Sequence, residues 1–128
     1  MDKVSEEQIR QTLNQLVELV HQRNVEAGWW TNIETGEPLN RNRAEMIALM
    51  HSELSEALEA ERKNLMDDKL PHRPGAEVEL ADTVIRILDY CGGFNYDLGG
   101  ALLEKLEFNR HREDHKIENR LKDGGKKI

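Results

Sequence analysis

Two pairs of carboxylates are the residues here whose types and spacing could do chemistry together: Glu53 and Glu56 in HSELSEALEA, then Glu79 and Asp82 in EVELADTVIRILD. Each pair is spaced i, i+3, so on a helix both members project from one face. Two such helices packed face to face would gather four acids. Carboxylates that crowd together repel unless protons or a cation intervene. A hard divalent cation such as Mg²⁺ takes oxygen ligands and suits that gap. A lone Glu-x-x-Glu in a chain with 25 acidic residues is ordinary solvated helix surface. Two of them on consecutive apolar-rich helices form a stronger pattern.

The elements that must position these acids read as four helices. The first is expected from Ser5, where Ser5-Glu6-Glu7-Gln8 fits a capping box, to about Glu26, with the stripe Ile9, Leu13, Leu16, Val17, Val20. Gly28 breaks it, Trp29-Trp30 opens a loop, and Thr35-Gly36-Glu37-Pro38 signals a turn. The second helix starts near Asn42 and ends near Asn64, on the stripe Ile47, Met50, Leu54, Ala57, Leu58. On a helical wheel Glu53 falls roughly 80° from the centre of that stripe, with Glu56 one step further round, so both border the core. Pro74 fits the first turn of a third helix carrying Val78, Ala81, Val84, Ile85, Leu88 and Cys91, and Gly92-Gly93 is expected to stop it. Glu79, Asp82, Arg86 and Asp89 gather opposite its apolar arc. Glu77 lies on the apolar side as a rival ligand, and Asp82 and Arg86 have the spacing of a surface salt bridge. Asp97 is a plausible N-cap for a fourth helix through Leu98, Leu102, Leu103 and Leu106 to about Asn119, although Gly99 and Gly100 weaken its first turn. The expected fold class is all-α, a four-helix bundle-like protomer packing into a homo-oligomer. Residues 1–121 are expected to form the domain and residues 122–128 a flexible basic tail.

Composition bounds the partners. The 128 residues are enough for one domain with a real core. Charged residues make up 34% and aromatics 5%, which suits a helical protein better than a β-sandwich. The net charge of −7 is uneven: residues 1–104 hold 10 Lys/Arg against 20 Asp/Glu, and residues 105–128 hold 8 against 5. An acidic body argues against nucleic acid as a partner. A basic end beside an acidic cluster suits a small polyphosphate. Cys91 is the single cysteine, so no internal disulfide forms, and it reads as a buried thiol of a reducing compartment. No apolar run approaches membrane-spanning length and no signal-peptide core is present, so no membrane is expected and a cytoplasmic location is.

The pattern Glu53-x-x-Glu56, 22 residues, Glu79-x-x-Asp82 resembles the signature of the MazG-like all-α nucleoside triphosphate pyrophosphohydrolases, a superfamily that includes dimeric dUTPases and dCTPase-like enzymes. The run Glu79-Leu80-Ala81-Asp82-Thr83-Val84-Ile85-Arg86-Ile87-Leu88-Asp89 resembles the family's third helix. Leu103-Glu104-Lys105-Leu106-Glu107-Phe108-Asn109-Arg110-x-Arg112 resembles the Lys…Asn…Arg segment of its fourth. The likeness covers about residues 40–115. It implies cleavage of a nucleoside triphosphate between the α and β phosphates, giving monophosphate and pyrophosphate. It also implies Mg²⁺, with Mn²⁺ as a substitute, on Glu53, Glu56, Glu79 and Asp82, with one of the four also positioning the attacking water. Lys105, Asn109 and Arg112, at i, i+4, i+7, match the nucleotide-contacting segment, and Arg110 and Lys126 are weaker matches. Trp29 and Trp30 match the region that supplies base-pocket aromatics, with a packing anchor for the loop as the alternative. Ser52 stands where many members carry a further Glu, so the resemblance leaves open how many ions the four acids hold. The implied assembly is a homodimer or homotetramer. The alternative function is a non-catalytic helical interaction module with the same bundle. Glu18-x-x-His21 has di-iron spacing, but no second such motif exists in the chain, and His51 has no assigned role.

Overall fold

The computed structural model describes residues 2–128, with Val4 described by its backbone alone. The fold is all-α. Among the described residues there are five α-helices and one short 3₁₀ turn: α1 Lys3–Glu26, α2 Arg43–Lys63, α3 Gly75–Gly93, α4 Leu98–Arg110, the turn Glu113–His115, and α5 Ile117–Arg120. No strand occurs among them, only isolated bridges pairing Thr31 with Pro38 and Met66 with Pro74. No described helix is long and apolar enough to cross a membrane. The chain divides into two compact units, Met1–Gln15 with Asp97–Ile128, and Leu16–Tyr96.

The cap of α1 lies earlier than the sequence implied. Asp2 Oδ1 accepts the Ser5 backbone N–H at 2.8 Å, so an aspartate takes the place assigned to Ser5. Helix α2 starts as expected, with Asn42 Oδ1 accepting the Glu45 N–H at 3.0 Å, and it closes on Asn64 in the left-handed region. Helix α3 follows Pro74 and ends on Gly93, at the Gly92-Gly93 pair expected to stop it. Asn95 supplies the positive φ of 58° just beyond its end. The two glycines also serve close packing: a Cβ at Gly92 would collide with the His21 side chain, and one at Gly93 with the Trp30 ring.

Within the Leu16–Tyr96 unit, α2 packs on α3 with small residues between them. Ala57, Ala60, Gly75 and Ala76 are buried, and a Cβ on Gly75 would sit 3.1 Å from the Ala60 Cβ. This close approach decides which faces turn inward. Met46, Ala57 and Ala60 of α2 are buried and Glu53 is half-buried, whereas Ile47, Leu54 and Leu58 are exposed. On α3, Thr83 is buried and Glu79, Asp82 and Arg86 are half-buried, whereas Leu80 and Val84 are exposed. The wheel centred on the bulky stripe is therefore corrected. Small side chains, not the largest ones, mark the seam, and Glu53 lies in it rather than beside it.

In the other unit, Asp97 caps α4 by accepting the Gly100 N–H at 2.9 Å. Gly99 is buried where α4 crosses α1, and a Cβ there would strike the Arg10 backbone. That close contact explains a glycine that propensity alone disfavours. Asn14 and Arg10 donate to the same Asp97 carboxylate at 2.7 and 3.0 Å and hold its pKa down at about 2, the Asn14 bond contributing most. Helix α4 ends at Arg110, short of the expected Asn119, because the backbone turns extended at Arg112 (ψ 126°).

Candidate metal centre

The seam between α2 and α3 brings acids together. One carboxylate oxygen from each of Glu53, Glu56 and Glu79 lies within 4.8 Å of the other two. Asp82, one turn beyond Glu79, stays outside that group but is close enough to feel it. Burial, first, and the charges of Glu53, Asp67 and Glu56 push its pKa up, while Arg86 pulls it down. The effect on Glu79 is larger. Desolvation first, then the close carboxylates of Glu53 and Glu56, raise its carboxyl from 4.5 to about 8. A carboxyl in that position keeps its proton at neutral pH unless another positive charge replaces it.

Glu79 Oε2 is buried with no hydrogen-bond partner. A buried carboxylate oxygen left without a donor costs free energy, and native structures seldom tolerate it without a reason. The donor set is three carboxylates, hard oxygen ligands of the kind Mg²⁺ and Mn²⁺ take. The residues present therefore fit a divalent cation.

Arg86 is the positive group that does reach the cluster. Its Nη2 and Nε donate to Glu53 Oε1 at 3.0 and 3.1 Å, across the seam. The expected Asp82–Arg86 pairing along α3 is thus replaced by an interhelical one. Glu77 is no longer a rival ligand: it is exposed and paired with Arg73 at 3.1 Å. Ser52, where a further acid was looked for, turns its hydroxyl onto the Leu49 carbonyl at 2.6 Å. His51 is exposed.

Glu53 and Asp82 also line a cavity of about 390 Å³, together with Arg86, Trp29, Arg41 and Asp89. That volume is in the range of small-molecule sites. Trp29 and Trp30 part company here. Trp29 lines the cavity and is 64% exposed; its N–H donates to the Asn24 carbonyl, and Arg41 Nη1 donates to the Trp29 carbonyl at 3.0 Å. Trp30 is the anchor. Its Nε1 donates to Asp89 Oδ1 at 2.9 Å, and its ring meets His21 and Phe94 edge-on. His21 Nδ1 donates to the same Asp89 oxygen at 2.9 Å, which assigns the proton to Nδ1. His21 thus serves a carboxylate on α3, and Glu18 is exposed.

No family model matches this sequence, and neither a curated protein nor a solved structure does. The site therefore stands on its own geometry.

Lys105, Asn109 and Arg112 belong to the other compact unit. Lys105 is exposed, with its ammonium 4.7 Å from the Phe108 ring centre. Asn109 Oδ1 is buried without a partner. Arg112 does not share their helix face, since α4 has ended. It forks onto Asp114 at 2.9 and 3.1 Å, where Lys126 also pairs at 2.9 Å. Arg110 pairs with Glu107 at 3.1 Å. In the segment 122–128, the Lys127 ammonium donates to the Arg120 and Lys122 carbonyls.

Arg41, Asp67 and Asp89 are the residues that sequence reading left without a role. Asp89 had a signal, since it continues the Asp82–Arg86 face of α3 by another turn. Asp67 is buried in the loop before α3, where its Oδ2 accepts the Lys69 and Leu70 N–H groups. Arg41, in an irregular stretch, had none.

Proposed function

We propose that the acid seam holds a divalent cation, Mg²⁺ with Mn²⁺ as a substitute. On this reading the chain is a nucleoside triphosphate pyrophosphohydrolase that cleaves its substrate between the α and β phosphates. The observation that carries it is the convergence of Glu53, Glu56 and Glu79 within 4.8 Å while Glu79 Oε2 lacks any partner. Glu53, Glu56 and Glu79 would hold the ion, with Asp82 completing the set. A divalent ion supplies charge neutralisation for a triphosphate and lowers the pKa of bound water.

The chain's own groups do the positioning, which is most of what phosphoryl chemistry asks of a protein. Arg86 fixes the rotamer of Glu53. Trp29 offers an aromatic face at the cavity, and such faces stack on bases regardless of sequence. Asp82, whose pKa burial and the charges of Glu53, Asp67 and Glu56 raise, is a carboxylate that a cation beside it would stabilise in its ionised form. In the other unit, Lys105 has no ion pair among the described residues and Asn109 has an orphaned oxygen, whereas Asp114 already engages Arg112.

Incubation with a panel of ribo- and deoxyribonucleoside triphosphates and Mg²⁺, with products identified, tests the reading. Pyrophosphate and a monophosphate are expected. Stepwise release of orthophosphate, or no turnover with any triphosphate, overturns it.

The exposed Ile47, Leu54 and Leu58 of α2 and Leu80 and Val84 of α3 support a homo-oligomer, dimer or tetramer, since bulky apolar rows at helical spacing are seldom left in water. The same rows favour the second reading, a helical interaction module without catalysis. Light scattering gives the assembly state. Turnover that falls in Glu53→Gln but not in Leu58→Ser separates the two readings.

A further inference from the structure

Asp89 is 5% exposed, yet it lines the cavity. Both of its protein partners, Trp30 Nε1 and His21 Nδ1, bond Oδ1. Among the described residues no hydrogen bond engages Oδ2. The carboxylate is thus held by its donors on one oxygen, and the other is an accessible acceptor without a protein donor.

Its place in the cavity says what kind of donor. Asp82, Arg86 and Asp89 follow one another at i, i+4, i+7 on α3, so Asp89 lies about 10 Å along the helix from Asp82. Met46 and Glu53 of α2 line the same cavity at a similar separation. A ligand whose phosphates lie at the acids would thus extend its far end toward Asp89, past the face of Trp29 and the amide of Asn24. For a nucleotide that far end is the base edge.

We propose that Asp89 selects nucleobases by accepting a hydrogen bond from an exocyclic amino group, so that the site takes cytosine-type, amino-bearing bases over uracil and thymine. This inference rests on the nucleotide reading of the site. Aspartate accepting from the cytosine 4-amino group is an established pairing geometry. Uracil and thymine flank their single ring N–H with two carbonyl oxygens, which a carboxylate repels. Rejecting the wrong base by leaving a buried polar group unpaired is the strongest form of discrimination a pocket has.

Calorimetric titration with cytidine and uridine monophosphates, in ribose and deoxyribose forms with Mg²⁺ present, tests this without turnover. The cytidine forms should bind about 5- to 100-fold more tightly. Asp89→Asn keeps an oxygen for Trp30 and His21 but presents an amide N–H₂ to the cavity, so the preference should shift toward uridine. Equal binding by the wild-type chain overturns the proposal, as does binding of neither. An unchanged cytidine preference in a folded Asp89→Asn variant overturns it as well. If that variant does not fold, the wild-type pair still decides. Hydrolysis of cytidine and uridine triphosphates, measured alongside, separates the two readings. A binding preference without turnover removes the hydrolase and leaves this inference. Turnover of both without preference removes this inference and leaves the hydrolase.

Discussion

Two acid sites lie within a few turns of each other in the Leu16–Tyr96 unit, and they are solved in opposite ways. Asp89 is given donors on one oxygen: the Trp30 indole and the His21 imidazole both reach Oδ1 at 2.9 Å. Glu79 is crowded by acceptors: burial first, then its neighbours Glu53 and Glu56, raise its carboxyl to about 8, and one of its oxygens has no partner. A buried carboxylate anchored by the protein's own donors ties segments of the fold together. One that the protein crowds with like charge costs the fold free energy unless a proton or a cation offsets it. The contrast also explains the aromatic loop. Trp30 is spent on satisfying Asp89, which leaves Trp29 free to face the cavity.

The sharpest way to break this comparison is to neutralise one acid in each site. Glu53→Gln should lower triphosphate turnover by on the order of 10³-fold, because Lewis-acid stabilisation is worth several kcal/mol and each ~1.4 kcal/mol is tenfold. Its thermal midpoint in chelator should not fall with the activity. Asp89→Ala should do the reverse, costing about 2–4 kcal/mol in denaturant unfolding as two buried N–H groups lose a charged acceptor. A Glu53→Gln variant with near wild-type turnover would remove the metal centre, and a fully stable Asp89→Ala would remove the structural role.

A smaller effect lies in pH. The Glu79 carboxyl is raised from 4.5 to about 8 in the folded chain, so between those values the unfolded chain has already given up a proton that the folded chain keeps. Stability in chelator should therefore be full below about pH 4.5 and decline as pH rises toward 8. Mg²⁺ should raise the melting temperature most at the alkaline end. Glu79→Gln should flatten the decline, and a melting temperature that climbs with pH in the metal-free chain contradicts the crowded-acid account. The smallest effect separates the tryptophans. Trp29→Ala should change stability by about 0.5 kcal/mol or less, as surface substitutions do. Trp30→Phe, which removes one donor to a buried carboxylate, should cost about 1–3 kcal/mol.

Much of this was legible in the residues. Asn42 and Asp97 cap their helices as their types and spacing imply, and three of the four predicted acids meet across the seam. The facing of the helices was not legible. Hydrophobicity pointed Leu54 and Leu58 inward, but closeness of approach between Ala60 and Gly75 settled the seam, and closeness is a property of two helices together. Gly92 and Gly93 were legible as the stop of α3, but their packing role was not, since the His21 and Trp30 side chains they admit come from other segments. The end of α4 escaped because no glycine or proline marks it. Arg112 leaves the helix to fork onto Asp114, and no periodicity announces that.

The central claim is that Glu79 trades its proton for a cation. Calorimetric titration of the chain with Mn²⁺ at pH 7, repeated in buffers of different ionisation enthalpy, measures that exchange directly. The account predicts saturable binding with release of close to one proton per site in the wild-type chain, and loss of that binding in Glu53→Gln. Binding without proton release, or no saturable binding at all, would contradict it.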